Sequence, residues 1–113
     1  MFNDLINKKI TETKWNDYEI VFYLESGDVI RFRAEGDCCN DVSINDIDDV
    51  EVLQDCIMIE AEQVEGGSFY DENEIQWVFY KFKTNKGYST LSLRNTLGRS
   101  GYAYAGYLTQ VRK

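Results

Sequence analysis

The sequence predicts an α+β domain that is mainly antiparallel β, a meander sheet with one or two short helices. Three observations predict it. Runs of alternating apolar and polar residues recur along the chain, as half-buried strands require. Glycine-bearing clusters separate some of them, at Glu25-Ser26-Gly27-Asp28 and Asn85-Lys86-Gly87, and such turns join neighbouring antiparallel strands. Helical spacing is confined to two short stretches. The length, 113 residues, predicts one domain spanning residues 1–113.

In chain order, Phe2 to Ile6 reads as one helical turn with Phe2, Leu5 and Ile6 facing inward. Ile10–Trp15 is a first strand. Tyr18–Leu24 follows, with Ile20, Phe22 and Leu24 on one face, and then Val29–Glu35, with Ile30, Phe32 and Ala34 opposite Arg31 and Arg33. Gly36–Asp49 is acidic and reads as a loop in which Val42 and Ile44 pair only briefly. Asp46–Gln54 reads as a short helix capped by Asp46, with Asp48 and Asp49 in the favourable first turn. Cys56–Val64 alternates Ile57, Ile59 and Ala61 against Met58, Glu60 and Glu62. Glu65–Glu74 reads as an exposed loop. Ile75–Thr84 and Tyr88–Arg94 form the clearest hairpin. A loop over Asn95–Gly101 then leads to a closing strand, Tyr102–Val111.

Hydrophobic residues at 43% and charged residues at 28% place the chain among globular domains rather than disordered segments. No stretch reaches the roughly 18 apolar residues of a membrane span. The N-terminus lacks the apolar core and cleavage site of a signal peptide, so the expected location is cytoplasmic. The three cysteines, an odd number, argue against a disulfide framework. The net charge of −8 disfavours direct contact with nucleic-acid backbones or anionic membranes. That total hides a split. Residues 1–75 hold all 20 carboxylates against five basic residues, net −15, whereas residues 76–113 hold seven basic residues and no acid, net +7. Such asymmetry means either separate surfaces or internal pairing.

The chain has no histidine, which excludes Ser-His-Asp and Cys-His catalysis and His-ligated metal. It has no phosphate-binding loop, dinucleotide fingerprint or nucleophile elbow. The expectation is therefore a protein that is not an enzyme and has no cofactor. Cys38, Cys39 and Cys56 admit two readings: a three-thiolate metal site completed by Asp37 or Asp55, or structural thiols. Adjacent cysteines on a strand point to opposite faces, so the expectation is no metal.

Two surfaces compete as binding sites. The basic, aromatic last third places Tyr88, Thr90, Ser92 and Arg94 on one strand face. Beyond it Gly98-Arg99-Ser100-Gly101-Tyr102 adds a guanidinium, a hydroxyl and a close-approaching backbone. Arginine gives phosphate a bidentate contact and tyrosine offers a stacking face. Arg94 and Arg99 are the expected clamp. Tyr88, Tyr102 and Tyr104 would stack or pack, Ser100 and Thr90 would orient, and Lys86 is a peripheral charge. The counter-reading pairs these basic strands with the acidic ones. The second surface is the acidic stretch Asp41, Asp46, Asp48, Asp49, Glu51 and Asp55. It reads either as a solvated face or as a nucleic-acid mimic that covers a basic protein groove.

The block Phe2-Asn3-Asp4-Leu5-Ile6, the pair Gly36-Asp37-Cys38-Cys39 and Ile44-Asn45-Asp46-Ile47, and Trp77-x-Phe79-Tyr80-Lys81 with Lys86-Gly87-Tyr88 carry a resemblance. In that order they resemble an uncharacterised family of small domains found in bacteriophages, prophages and their hosts. The chain departs from its pattern at Ser92-Leu93, where an Arg-Trp pair is usual, and in the spacing of Tyr102 and Tyr104. The resemblance implies a phage or mobile-element setting and transfers no activity. Together these readings lead to a non-enzymatic, phage-type accessory protein, acting in counter-defence by sequestering a small anionic, nucleotide-like ligand in the host cytoplasm. The alternative is an acidic inhibitor of a host defence protein. A third reading, a minor structural part of a virion, would call for a homo-oligomer.

Overall fold

The alternating runs become strands in the computed structural model, which describes residues 2–36, 41–65, 75–96 and 106–111. Eight strands follow one another: β1 Lys9–Trp15, β2 Glu19–Leu24, β3 Val29–Glu35, β4 Asp41–Ile47, β5 Cys56–Glu65, β6 Ile75–Thr84, β7 Gly87–Thr96 and β8 Tyr107–Gln110. They form one sheet in the order β4-β7-β6-β5-β1-β2-β3-β8, and every pairing is antiparallel. Two meanders, β1-β2-β3 and β5-β6-β7, therefore make the two halves. The meander expected from the sequence holds within each half. β4 and β8 then break it by attaching to the outer edges.

The halves share little ladder. β1 meets β5 only through Lys9 opposite Ile57 and Ile10 opposite Cys56. Beyond that point the strands diverge and Gln54 fills the gap. Its amide accepts the Thr13 N–H at 2.7 Å and donates to the Thr13 carbonyl at 2.8 Å, copying what a neighbouring strand would do. The sheet folds about this joint and brings its inner faces together. Phe22 and Phe32 from one half meet Phe82 from the other, directly or through Phe2. Phe2 sits between them, 4.8 Å from Phe32, 5.3 Å from Phe82 and 5.7 Å from Tyr80 by ring centroids, close to the edge-on packing aromatic rings favour. The Tyr80 hydroxyl accepts the Leu108 N–H at 2.8 Å and so ties β6 to β8 across the core.

The helical expectations do not hold: no α-helix occurs among the described residues. In place of a helical turn over Phe2 to Ile6, the chain makes two successive tight turns, with the Leu5 N–H bonded to the Phe2 carbonyl and the Lys8 N–H to the Leu5 carbonyl. Phe2 and Leu5 do face inward. Over Asp46–Gln54 only a four-residue 3-10 turn, Val50–Leu53, forms. Asp46 cannot cap it, because Asp46 is in β4 opposite Ser92. Asp49 precedes the turn in the left-handed region and makes no side-chain cap. Within Gly36–Asp49, expected to be an acidic loop, Asp41–Ile47 is instead a strand. Val42, Ile44 and Ile47 of β4 point into the core while its acids face water, the charged rim that edge strands commonly carry.

A bulge corrects the face of β5. The register slips between Met58 and Glu60: Cys56 and Met58 are buried, and Ile57 and Ile59, which the alternation places on one face with Ala61, are 41% and 39% exposed. One extra residue reverses the alternation. Asn95, expected in a loop, belongs to β7 and is buried. Of the expected closing strand Tyr102–Val111, Tyr107–Gln110 is strand, and residues 102–105 lie outside the described residues.

Candidate functional site

The outer face of β7 is as the alternation predicts. Leu91 and Leu93 are buried, Tyr88 and Arg94 are exposed, and Thr90 and Ser92 are half-buried. The register then shows what flanks each residue. Arg94 lies between Ser43 of β4 and Trp77 of β6, and Ser92 between Asp46 and Phe79. Trp77 and Phe79 are half-buried. A guanidinium, two hydroxyls and two aromatic rings therefore share adjoining rows of one sheet surface. Trp77 and Phe79 were missing from the sequence-derived site. Their strand was legible, but that they stand beside Arg94 depends on the register between β6 and β7.

Arg94 makes no ion pair among the described residues. Its expected companions Arg99, Ser100, Tyr102 and Tyr104 lie outside the described residues, as do Cys38 and Cys39. The other expected members are not brought to Arg94. Tyr88 is six positions away along β7, about 20 Å at strand rise, too far to hold the same small ligand. It stands beside Lys83, whose ammonium lies 5.8 Å from its ring. Lys86 is in the turn before β7 and donates to the Gln54 carbonyl at 2.9 Å, so it ties down the 3-10 segment.

The two competing surfaces touch each other. The Asp48 carboxylate accepts the Thr90 N–H, and the Asp48 N–H donates to the Thr90 carbonyl at 3.1 Å. The Ser89 hydroxyl bonds the Asp48 carbonyl at 2.6 Å. Asp48 thus extends the β4–β7 seam. Asp55 pairs with Lys9 at 2.9 Å. The hydrogen bond from Lys9 is the main cause that holds its carboxyl below the ordinary range, and Lys86 adds to it. Glu62 and Glu60 lie opposite Lys81 and Lys83, and with Tyr88 these four flank a surface cleft of about 350 Å³. Part of the charge split is thus laid side by side across the β5–β6 ladder. Asp41, Asp46, Asp49 and Glu51 remain exposed along the β4 edge and the turn that follows.

Cys56 is fully buried at the start of β5. Burial is the main cause that pushes its thiol up, against the pull of Lys86 and Lys9, which is the behaviour of a structural thiol. No helix among the described residues is long and apolar enough to cross a membrane.

This geometry is that of a folded-over antiparallel β-domain whose candidate site, as far as the described residues go, is an open stretch of sheet surface. Residues 3–108 match the family described as a domain of unknown function, DUF7448, and the chain belongs to that family. No curated protein and no solved structure matches it.

Proposed function

We propose that this domain is a non-enzymatic accessory protein that sequesters a small anionic, nucleotide-like ligand on the outer face of β6 and β7. The observation that carries the reading is Arg94, an exposed guanidinium with no carboxylate partner among the described residues. It stands in register with the Trp77 ring, and the Phe79 ring is one row on. Arginine holds phosphate through paired N–H donors, and an indole face stacks on a base at little cost in selectivity. Arg99, Ser100, Tyr102 and Tyr104, outside the described residues, are the further members that the sequence nominates for this site. In the phage or mobile-element setting that the sequence resemblance implies, the ligand is a nucleotide-derived immune signal and its capture is counter-defence.

Calorimetry against linear and cyclic nucleotides tests this, with tryptophan fluorescence as a second readout. The expected result is micromolar binding of at least one member, weakened about tenfold or more by Arg94→Ala, since a hydrogen bond to a charged group contributes about 1.5–3 kcal/mol. If no member binds even at weak micromolar affinity, the reading is wrong. The acidic alternative keeps one favourable observation, the exposed Asp41, Asp46, Asp49 and Glu51 on the free side of the sheet. It predicts a host protein retained at low salt and lost at high salt. Such a partner would survive Arg94→Ala but not the double substitution Asp46→Lys/Asp49→Lys.

A further inference from the structure

The outer face of the other half of the sheet carries a second guanidinium, Arg31, in a loose ion pair with Glu19. Arg31 of β3 stands opposite Val21 of β2, and its carbonyl accepts the Val111 N–H at 2.8 Å. A cleft of about 490 Å³ opens on one side, lined by Tyr23, Gly27, Asp28, Val29, Arg31 and Val111. A smaller one of about 200 Å³ lies on the other, floored by Val21 and bounded by Lys14, Trp15 and Glu19. Arg31 and Tyr23 wall both. The larger is within the range of small-molecule sites, roughly 300–1,000 Å³.

The guanidinium is under-used. Its nearest carboxylate oxygen, on Glu19, is 3.5 Å from Nε, beyond the roughly 2.7–3.2 Å of an N–H···O bond, and Nε is a buried donor with no acceptor. One row along, Thr109, opposite Arg33, has a second buried polar atom without a partner, its Oγ1. Buried polar atoms without partners are rare in native proteins, and each calls for an explanation. Here two stand on neighbouring rows of one face, beside a cleft with an aromatic wall. The apolar lining is unusually open, with Val29 48% exposed. The Lys14 ammonium, 5.8 Å from the Tyr23 ring and 3.9 Å from a Glu12 carboxylate oxygen, borders the smaller cleft. Asp28, the acid of the larger cleft, is engaged by the Ser26 hydroxyl at 3.1 Å.

We infer that this face is a second ligand site, for a small organic anion whose oxyanion head meets Arg31 and whose flat apolar body lies over Tyr23, Val29 and Val111. Glu19 competes with the ligand for the guanidinium and so sets the affinity. The site is independent of Arg94 and Trp77, which lie on the other half of the sheet.

Amide chemical-shift titration of the full chain tests it, with benzoate and phenyl phosphate as probes. They share a body and differ in the head, so the two arms separate carboxylate from phosphate recognition. The expected result is a saturable shift at Tyr23, Val29 and Arg31 with at least one probe. Arg31→Ala weakens it about tenfold or more. Glu19→Gln strengthens it by up to about fivefold, the most that an exposed ion pair withholds. Arg31→Lys, which keeps the charge and loses the planar fork, falls between and serves if the alanine variant does not fold. Absence of saturation with both probes at about 10 mM, near the weakest affinity worth measuring, overturns the inference, as does unchanged affinity in either Arg31 variant. Arg94→Ala should leave this titration unaltered, so the failure of one site is distinguishable from that of the other.

Discussion

The Tyr80 hydroxyl fastens β8 to the far half of the sheet, and its removal gives a sharp forecast. Tyr80 is fully buried, and its oxygen accepts the Leu108 N–H at 2.8 Å. β8 has four residues and, among the described residues, pairs with β3 alone, so Leu108 has no second described strand to turn to. Tyr80→Phe keeps the ring and its edge-on contact with Phe2 but leaves a buried N–H without an acceptor. That costs about 1–3 kcal/mol. At about 4 °C per kcal/mol for a domain of this length, the melting temperature should fall by roughly 4–12 °C. Urea denaturation should show a lower midpoint with an unchanged slope. Hydrogen exchange should quicken most at Leu108, because the loss falls on the least supported strand. A change below about 0.5 kcal/mol, with exchange at Leu108 unaltered, would refute the reasoning. Alkaline behaviour gives a second check. Burial is the main cause that raises the Tyr80 phenol above its ordinary 10.0. Its contribution is therefore complete below that value and is lost as pH rises from there toward the raised folded value. The phenylalanine variant should show a shallower alkaline loss of stability.

Three further outcomes follow from particular contacts. A Cβ at Gly106 would lie 2.9 Å from Val42 Cγ2 and 3.1 Å from Asn95, so Gly106→Ala should destabilise by about 1–3 kcal/mol in urea denaturation; an unchanged midpoint counts against the close approach. Phe2→Ala removes the ring that both halves share and should cost about 3–5 kcal/mol, leaving the fold marginal by circular dichroism; a loss under about 1 kcal/mol would mean that the N-terminal turn is not part of the core. Asp55 should titrate, by carboxyl carbon shift, with a midpoint below its ordinary 3.8, because Lys9 hydrogen-bonds the charged form. The stability it supplies is complete above 3.8 and fades as pH falls through the folded value, and a midpoint at or above 3.8 denies the pair.

The sequence by itself determined the strands whose pattern is local. Val29–Glu35 was legible to the residue, and the inward faces of β2, β3 and β7 followed from strict alternation. Those signals survive because strand side chains alternate whatever the partner strand is. The tertiary structure decided the rest. Asp41–Ile47 is rich in residues that strands disfavour, and it became a strand because β7 offered a ladder and the core took Val42, Ile44 and Ile47. Asp46 and Asp48, which looked like helix-starting acids, were drawn to Ser92 and Thr90 instead. Ile57 and Ile59 faced outward once a single extra residue slipped the register with β6. The same dependence governs both candidate sites. Arg94 and Trp77 are distant in sequence, and so are Arg31 and Val111, and they meet only through pairing between strands. A pattern of residue types fixes which way a side chain points along its own strand. Which neighbour it faces is set by register, and register is a property of the folded sheet.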